Sequence, residues 1–131
     1  MIQGALRRID PNASLTDPAR SIPWTPLTQL FDAFADIPGV GYSKTTKALH
    51  PKRPELIPML DSYVQAYLAG DEPPEGSFGE QAAGLVRSYK EELDRNRSAL
   101  RELRRELASR AYDVTEVRIL DLLIWSVSAA P

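Results

Sequence analysis

The sequence predicts an all-α protein, and three observations carry that expectation. Apolar residues recur at three- and four-residue intervals, as in Leu27, Leu30, Phe31 and Phe34 or in Leu93, Leu100, Leu103 and Leu107. That spacing lines one face of an α-helix. No stretch alternates apolar and polar residues with the period of two that marks a half-buried strand. Prolines and glycines punctuate the periodic segments and cut the chain into separate helical units. A chain of 131 residues, 43% hydrophobic, fits one domain and can bury a core without disulfides.

Residues 1–22 contain Asp10-Pro11, Asp17-Pro18 and Ile22-Pro23. A residue before proline avoids the α region, so this segment reads as an extended N-terminal arm with one short turn at Gly4–Arg8. Residues 23–131 read as a single helical domain. Its first helix covers Pro26–Ala35, with Thr25 as N-cap and Pro26 at the first helical position. Pro38-Gly39 ends it. A second short helix covers 43–49, capped by Ser43, and the two make a helix-hairpin-helix at about 27–49. Leu56–Leu60 is a short apolar run expected to pack behind the hairpin. Asp61 or Ser62 caps a helix running to about Leu68, with Tyr63, Val64 and Tyr67 inward. Gly70–Ser77 is a loop. One long amphipathic helix is expected from Phe78 to Tyr112, with a bend or break near Gly84. Asp113 and Glu116 have the spacing of a capping box. The helix from Val114 to Val127 is apolar on most sides, the pattern of a buried C-terminal helix at the centre of the core. Arg118 and Asp121 interrupt it and are expected to pair, because an unpaired buried charge is costly.

Composition removes several functions. With no cysteine there are no disulfides, thiol nucleophiles or thiolate metal sites. The lone histidine and the absence of a carboxylate cluster at ligand spacing leave no metal site. No apolar run is long enough for a membrane span and no signal peptide is evident, so the expected location is cytoplasmic. The net charge is −2. That is unlike a domain held to nucleic acid mainly by bulk charge. Locally, however, residues 42–53 carry Lys44, Lys47, Lys52 and Arg53 without an acid.

The most informative segment begins Ile37-Pro-Gly-Val-Gly-Tyr-Ser-Lys-Thr-Thr-Lys and ends at Leu60-Asp61-Ser62. Gly39, Val40 and Gly41 form a tight bend. Glycine reaches positive φ cheaply and leaves backbone amides bare. A helix starting there points its N-terminal amides and positive dipole end outward, which suits a phosphate. Lys44 and Lys47 follow one turn apart, and Lys52 and Arg53 add further cations. The competing reading of the bend is a plain αα turn.

This segment resembles the helix-hairpin-helix motif of the DNA glycosylase superfamily with an endonuclease III-like core. The tract 47–58 and the segment Val117–Trp125 are similar to a group of uncharacterised bacterial proteins with a glycosylase-like hairpin core. The resemblance implies a catalytic carboxylate at Asp61 and places Ser43 where lyase members carry a nucleophilic lysine. It implies phosphate contacts from the bend, helped by a monovalent cation, with DNA or a nucleotide-like molecule as ligand. The iron–sulfur cluster of some members is excluded, since thiolates hold such clusters. His50 is a further acid–base candidate. Asp61 has an alternative role as a helix N-cap.

The expected function is therefore nucleic-acid or nucleotide phosphate binding at the hairpin, with a glycosylase-like N-glycosidic reaction at Asp61 as an addition. A small-molecule enzyme acting on a nucleoside or sugar phosphate is one alternative. A non-catalytic interaction module, with a homodimer through the long helix, is another.

Overall fold

The computed structural model describes residues 2–70 and 75–128. Among these residues there are α-helices and no strand, so the all-α class stands. The helices are α1 (Ile2–Arg7), α2 (Trp24–Asp32), α3 (Tyr42–Leu49), α4 (Ser62–Leu68), α5 (Phe78–Arg95), α6 (Arg97–Ser109) and α7 (Glu116–Ser128). Single 3-10 turns lie at Ala19–Ser21 and His50–Lys52. No described helix is long and apolar enough to cross a membrane.

The apolar stripes meet as their spacing requires. Leu27, Leu30 and Phe31 of α2 pack with Val86, Tyr89 and Leu93 of α5, and all six are fully buried. The run Leu56, Ile57 and Leu60 is also fully buried, and Val117, Leu120 and Ile124 of α7 close the core. Burying each such large side chain contributes roughly 1.5–3 kcal/mol. Gly79 permits the close approach of α2 and α5. Its amide donates to Asp32 Oδ1 at 2.6 Å, and an added Cβ would strike the Thr28 carbonyl and the Asp32 carboxylate.

Four expectations are corrected. The first concerns the arm, which opens with a helix at Ile2–Arg7 and is tied down along its length. Ile9 and Leu15 enter the core. Arg53 donates to the carbonyls of Leu6 (3.2 Å) and Ile9 (3.1 Å). Lys90 donates to the Leu15 carbonyl (2.9 Å) and Arg97 to that of Thr16 (3.1 Å). These donors lie far along the chain, so local pattern could not show them.

The second concerns the long helix, which breaks at Asn96 rather than near Gly84. Asn96 leaves the helical region (φ −114°, ψ 15°) and its amide nitrogen donates to the Glu92 carbonyl at 2.8 Å. A short polar side chain that bonds its own backbone competes with helix continuation.

The third concerns the cap of α7. Its donor-accepting side chain is Thr115, whose hydroxyl oxygen accepts from the Arg118 amide at 3.0 Å. Glu116 is buried and paired with Arg97 (3.3 Å) and Arg104 (3.8 Å).

The fourth concerns burial. α7 is covered on one side by α4, α5 and α6 but not all round, and Leu122, Leu123, Trp125 and Val127 are exposed. Tyr63 and Tyr67, expected inward, are exposed too.

The helices flanking the bend differ from the expected hairpin pair. α2 packs mainly on α5, and α3 mainly on the 3-10 turn after it. The packing does not establish a helix-hairpin-helix core.

Candidate functional site: the bend before α3 and the carboxylates behind it

Gly39 takes φ +74° and is exposed, a conformation that strains any residue with a Cβ. The amide of Val40 turns inward and donates to the Ile37 carbonyl at 3.3 Å. It is therefore not an outward donor, contrary to expectation. The amides of Gly41, Tyr42, Ser43 and Lys44 have no partner among the described residues. The N-cap position is Gly41, which has no side chain to satisfy them.

Two anchors hold this helix end in place. The Tyr42 ring stacks on Phe78 at 4.6 Å, and its hydroxyl donates to Gln81 Oε1 at 3.1 Å. Burial raises the Tyr42 pKa above its ordinary 10.0. The Thr46 hydroxyl donates to the Tyr42 carbonyl and accepts from the Leu60 amide, both at 2.8 Å. Ser43, Lys44, Lys47 and Lys52 are exposed. Among the described residues the three lysines form no ion pair. Arg53 does not join them, because its guanidinium is spent on the α1 segment.

Asp61 lies elsewhere on α3's surroundings. Its Oδ1 accepts from the Val64 amide at 2.9 Å, capping α4. The Asp61 segment meets the middle of α3 through Thr46 and Leu60. His50, just beyond α3, bonds through Nδ1 to the Ile57 carbonyl at 2.7 Å. The open amides are in the first turn of α3, the Asp61 segment bonds α3 at Thr46, and His50 follows its last turn.

Behind Asp61 lies a charge the sequence only half revealed. Arg118 pairs with Asp121, as its spacing suggested. Asp121 is 3% exposed, and its Oδ1 has no hydrogen-bond partner. Burial raises its pKa; Arg118 opposes the rise and the nearby negative charge of Asp61 reinforces it. Next to it the fully buried Tyr89 donates its hydroxyl to the Val117 carbonyl. Burial pushes that phenol well above 10.0. The clefts beside α4, α5, α6 and α7 are lined without Asp61, Ser43 or His50. In this setting Asp61 caps α4, and Arg118 and Asp121 pair within α7. No group of three or more metal-ligating side chains occurs among the described residues.

One concavity was not foreseen. A cleft of about 540 Å³ runs between the last turn of α4 and the first half of α5, with Tyr42 at one end. Leu68 and Leu85 give its lining apolar surface, and Glu75 and Glu80 also line it. The one local signal for it is Gly84, a glycine inside a helix.

A model of a family of unknown function, DUF6308, matches residues 1–128. No curated protein and no solved structure matches the chain. No helix-hairpin-helix glycosylase family is found, which overturns the resemblance drawn from the bend and Asp61 and removes the grounds it gave for a catalytic role at Ser43 or a bound monovalent cation. The similarity to an uncharacterised group does agree with the match, and with 1–128 covered the chain belongs to the DUF6308 family.

Proposed function

We propose that the first turn of α3 binds a phosphate group, carried by a nucleotide or by a nucleic-acid backbone. The observation that supports this is the set of four unpartnered amides from Gly41 to Lys44 at an uncapped, exposed helix start. Amides and helix dipole together favour an anion there. Lys44 and Lys47 supply positive charge on the adjoining turn. The net charge of −2 favours a small phosphate ligand over a long nucleic acid held by bulk electrostatics. This function includes no bond cleavage, because the Asp61 carboxylate caps α4 and no glycosylase family matches the chain.

The test is an amide-resolved NMR titration at low ionic strength with inorganic phosphate, a nucleoside monophosphate and a short DNA duplex in turn. Saturable shifts at Gly41–Lys44 that weaken with salt and with Lys44→Glu support the reading. Unchanged resonances for all three ligands refute it.

A second reading, a protein-interaction module, is supported by the exposed side of α7, where Leu122, Leu123, Trp125 and Val127 stand free. Exposed apolar groups clustered on one element mark contact surfaces. The homodimer expected through the long helix moves, on this reading, to α7. Light scattering tests it: a dimer that dissociates on Leu123→Glu supports it, and a monomer at all concentrations refutes self-association.

A further inference from the structure

Arg53 fastens two distant parts of the chain. Its guanidinium donates to three carbonyls, those of Lys52 (2.8 Å), Leu6 (3.2 Å) and Ile9 (3.1 Å). A planar fork of several donors can serve such a set at once. Leu6 and Ile9 bracket Arg7 and Arg8, so the same bonds set that pair of arginines beside Lys52. Anchoring the segment needs the carbonyls, not the two arginine side chains. Arg7, Arg8 and Lys52 are all exposed. Among the described residues none of them forms an ion pair. Arg8 donates to the Gln29 amide oxygen at 3.4 Å.

Both segments lack acids. Residues 2–9 and 37–54 carry Arg7, Arg8, Lys44, Lys47, Lys52 and Arg53 and no Asp or Glu. Of the acids next along the chain, Asp10 accepts from the Asn12 amide at 2.8 Å and Glu55 pairs with Arg104 at 3.5 Å. Asp36 precedes the bend and is exposed. One cation in the last turn of α1 complements that helix's dipole. Two arginines and a lysine together exceed that need, and their mutual repulsion is relieved by an anion.

α3 joins this group to the bend. Lys44 and Lys47 are exposed along it, and the 3-10 turn His50–Lys52 follows its last residue directly. An α-helix of this length spans roughly 12 Å. A single phosphate at the first turn of α3 therefore does not reach Lys52 or the arginines. A ligand with several phosphates in a row does.

From the Arg53 tether, the acid-free segments and the length of α3 we infer that the surface from the first turn of α3 to Arg7 and Arg8 binds the phosphodiester backbone of a nucleic-acid strand, over a few phosphates. The inference rests on the phosphate reading for one of its ends and adds a second end that a mononucleotide leaves empty. Contacts to phosphates carry no sequence information, so the binding is sequence-independent. A footprint this short needs a local strip of cations rather than a basic protein, in keeping with the net charge of −2.

The test compares a short oligothymidylate, thymidine monophosphate and inorganic tripolyphosphate by amide-resolved NMR titration. The oligothymidylate is expected to shift the amides of Arg7, Arg8 and Lys52 together with Gly41–Lys44, and to bind about ten-fold or more tighter than the monophosphate, which shifts Gly41–Lys44 alone. The logarithm of its affinity should fall with the logarithm of salt concentration by roughly 0.7 per phosphate engaged. The double variant Arg7→Gln, Arg8→Gln should lower that slope by about 1 to 1.5, and Lys52→Gln, on the other segment, by about 0.7. Monophosphate binding should change less than about two-fold in either, the charges removed lying beyond a Debye length. Circular dichroism melts confirm that the variants fold. Oligothymidylate shifts confined to Gly41–Lys44, or unchanged slopes in the folded variants, overturn the inference and leave the phosphate reading standing. Shifts confined to Arg7, Arg8 and Lys52 overturn the phosphate reading and the continuous strip with it. Tripolyphosphate binding as tightly as the oligothymidylate overturns the assignment to a strand.

Discussion

Two alanine substitutions in α5 should move stability in opposite directions. Gly79→Ala places a Cβ within 2.6 Å of the Asp32 carboxylate and closer still to the Thr28 carbonyl oxygen. Real Cβ atoms do not approach backbone so closely, so α2 and α5 must separate. Overpacking of this kind costs typically about 1–3 kcal/mol. Separation also stretches the 2.6 Å bond from the Gly79 amide to Asp32 Oδ1. A hydrogen bond to a charged acceptor contributes about 1.5–3 kcal/mol. Against these stands the helix preference for alanine, roughly 1 kcal/mol. The net expectation is a loss of about 2–4 kcal/mol, which lowers the melting temperature by roughly 10 °C or more for a domain of this size. Gly84→Ala carries the same intrinsic gain with no neighbour to strike, so it should stabilise by roughly 0.5–1 kcal/mol. Urea unfolding followed by circular dichroism measures both. A Gly79→Ala protein as stable as the parent would refute the packing of α5 on α2 and, with it, the placement of the cleft on the opposite side of that helix.

Asp121 makes a prediction about pH. Its folded pKa is raised above the ordinary 3.8, mainly by burial, so its ionised form costs stability. The penalty is full above the raised pKa and is relieved as pH falls through it towards 3.8. Asp121→Asn should therefore gain most over the parent at neutral pH, with the gap narrowing as pH falls; a gap that widens in acid contradicts the assignment. Asp61→Ala removes the cap of α4 and should cost about 1 kcal/mol, seen as a lower urea midpoint. Arg53→Ala frees the carbonyls of Leu6 and Ile9 and should make the α1 segment the first to exchange its amide hydrogens; unchanged protection there would refute the tether.

Much of the fold was legible because it is written in local chemistry. The stripes of α2 and α5 needed only their spacing. The bend at Gly39 was legible because only glycine takes φ +74° without strain. What misled was reading relatedness into the bend and a downstream aspartate. A tight turn and a helix cap each require those residue types for their own reasons, and the family matched is DUF6308, of unknown function.

By itself the sequence determined the helical class, the absence of thiol chemistry, the exposed basic stretch before the 3-10 turn and the pairing of Arg118 with Asp121, since each follows from residue type and near-neighbour spacing. Only the tertiary structure decided which carbonyls Arg53, Lys90 and Arg97 would take and which side of α7 would stay bare. Those outcomes depend on groups tens of residues apart meeting in space, and no periodicity along the chain encodes such distances.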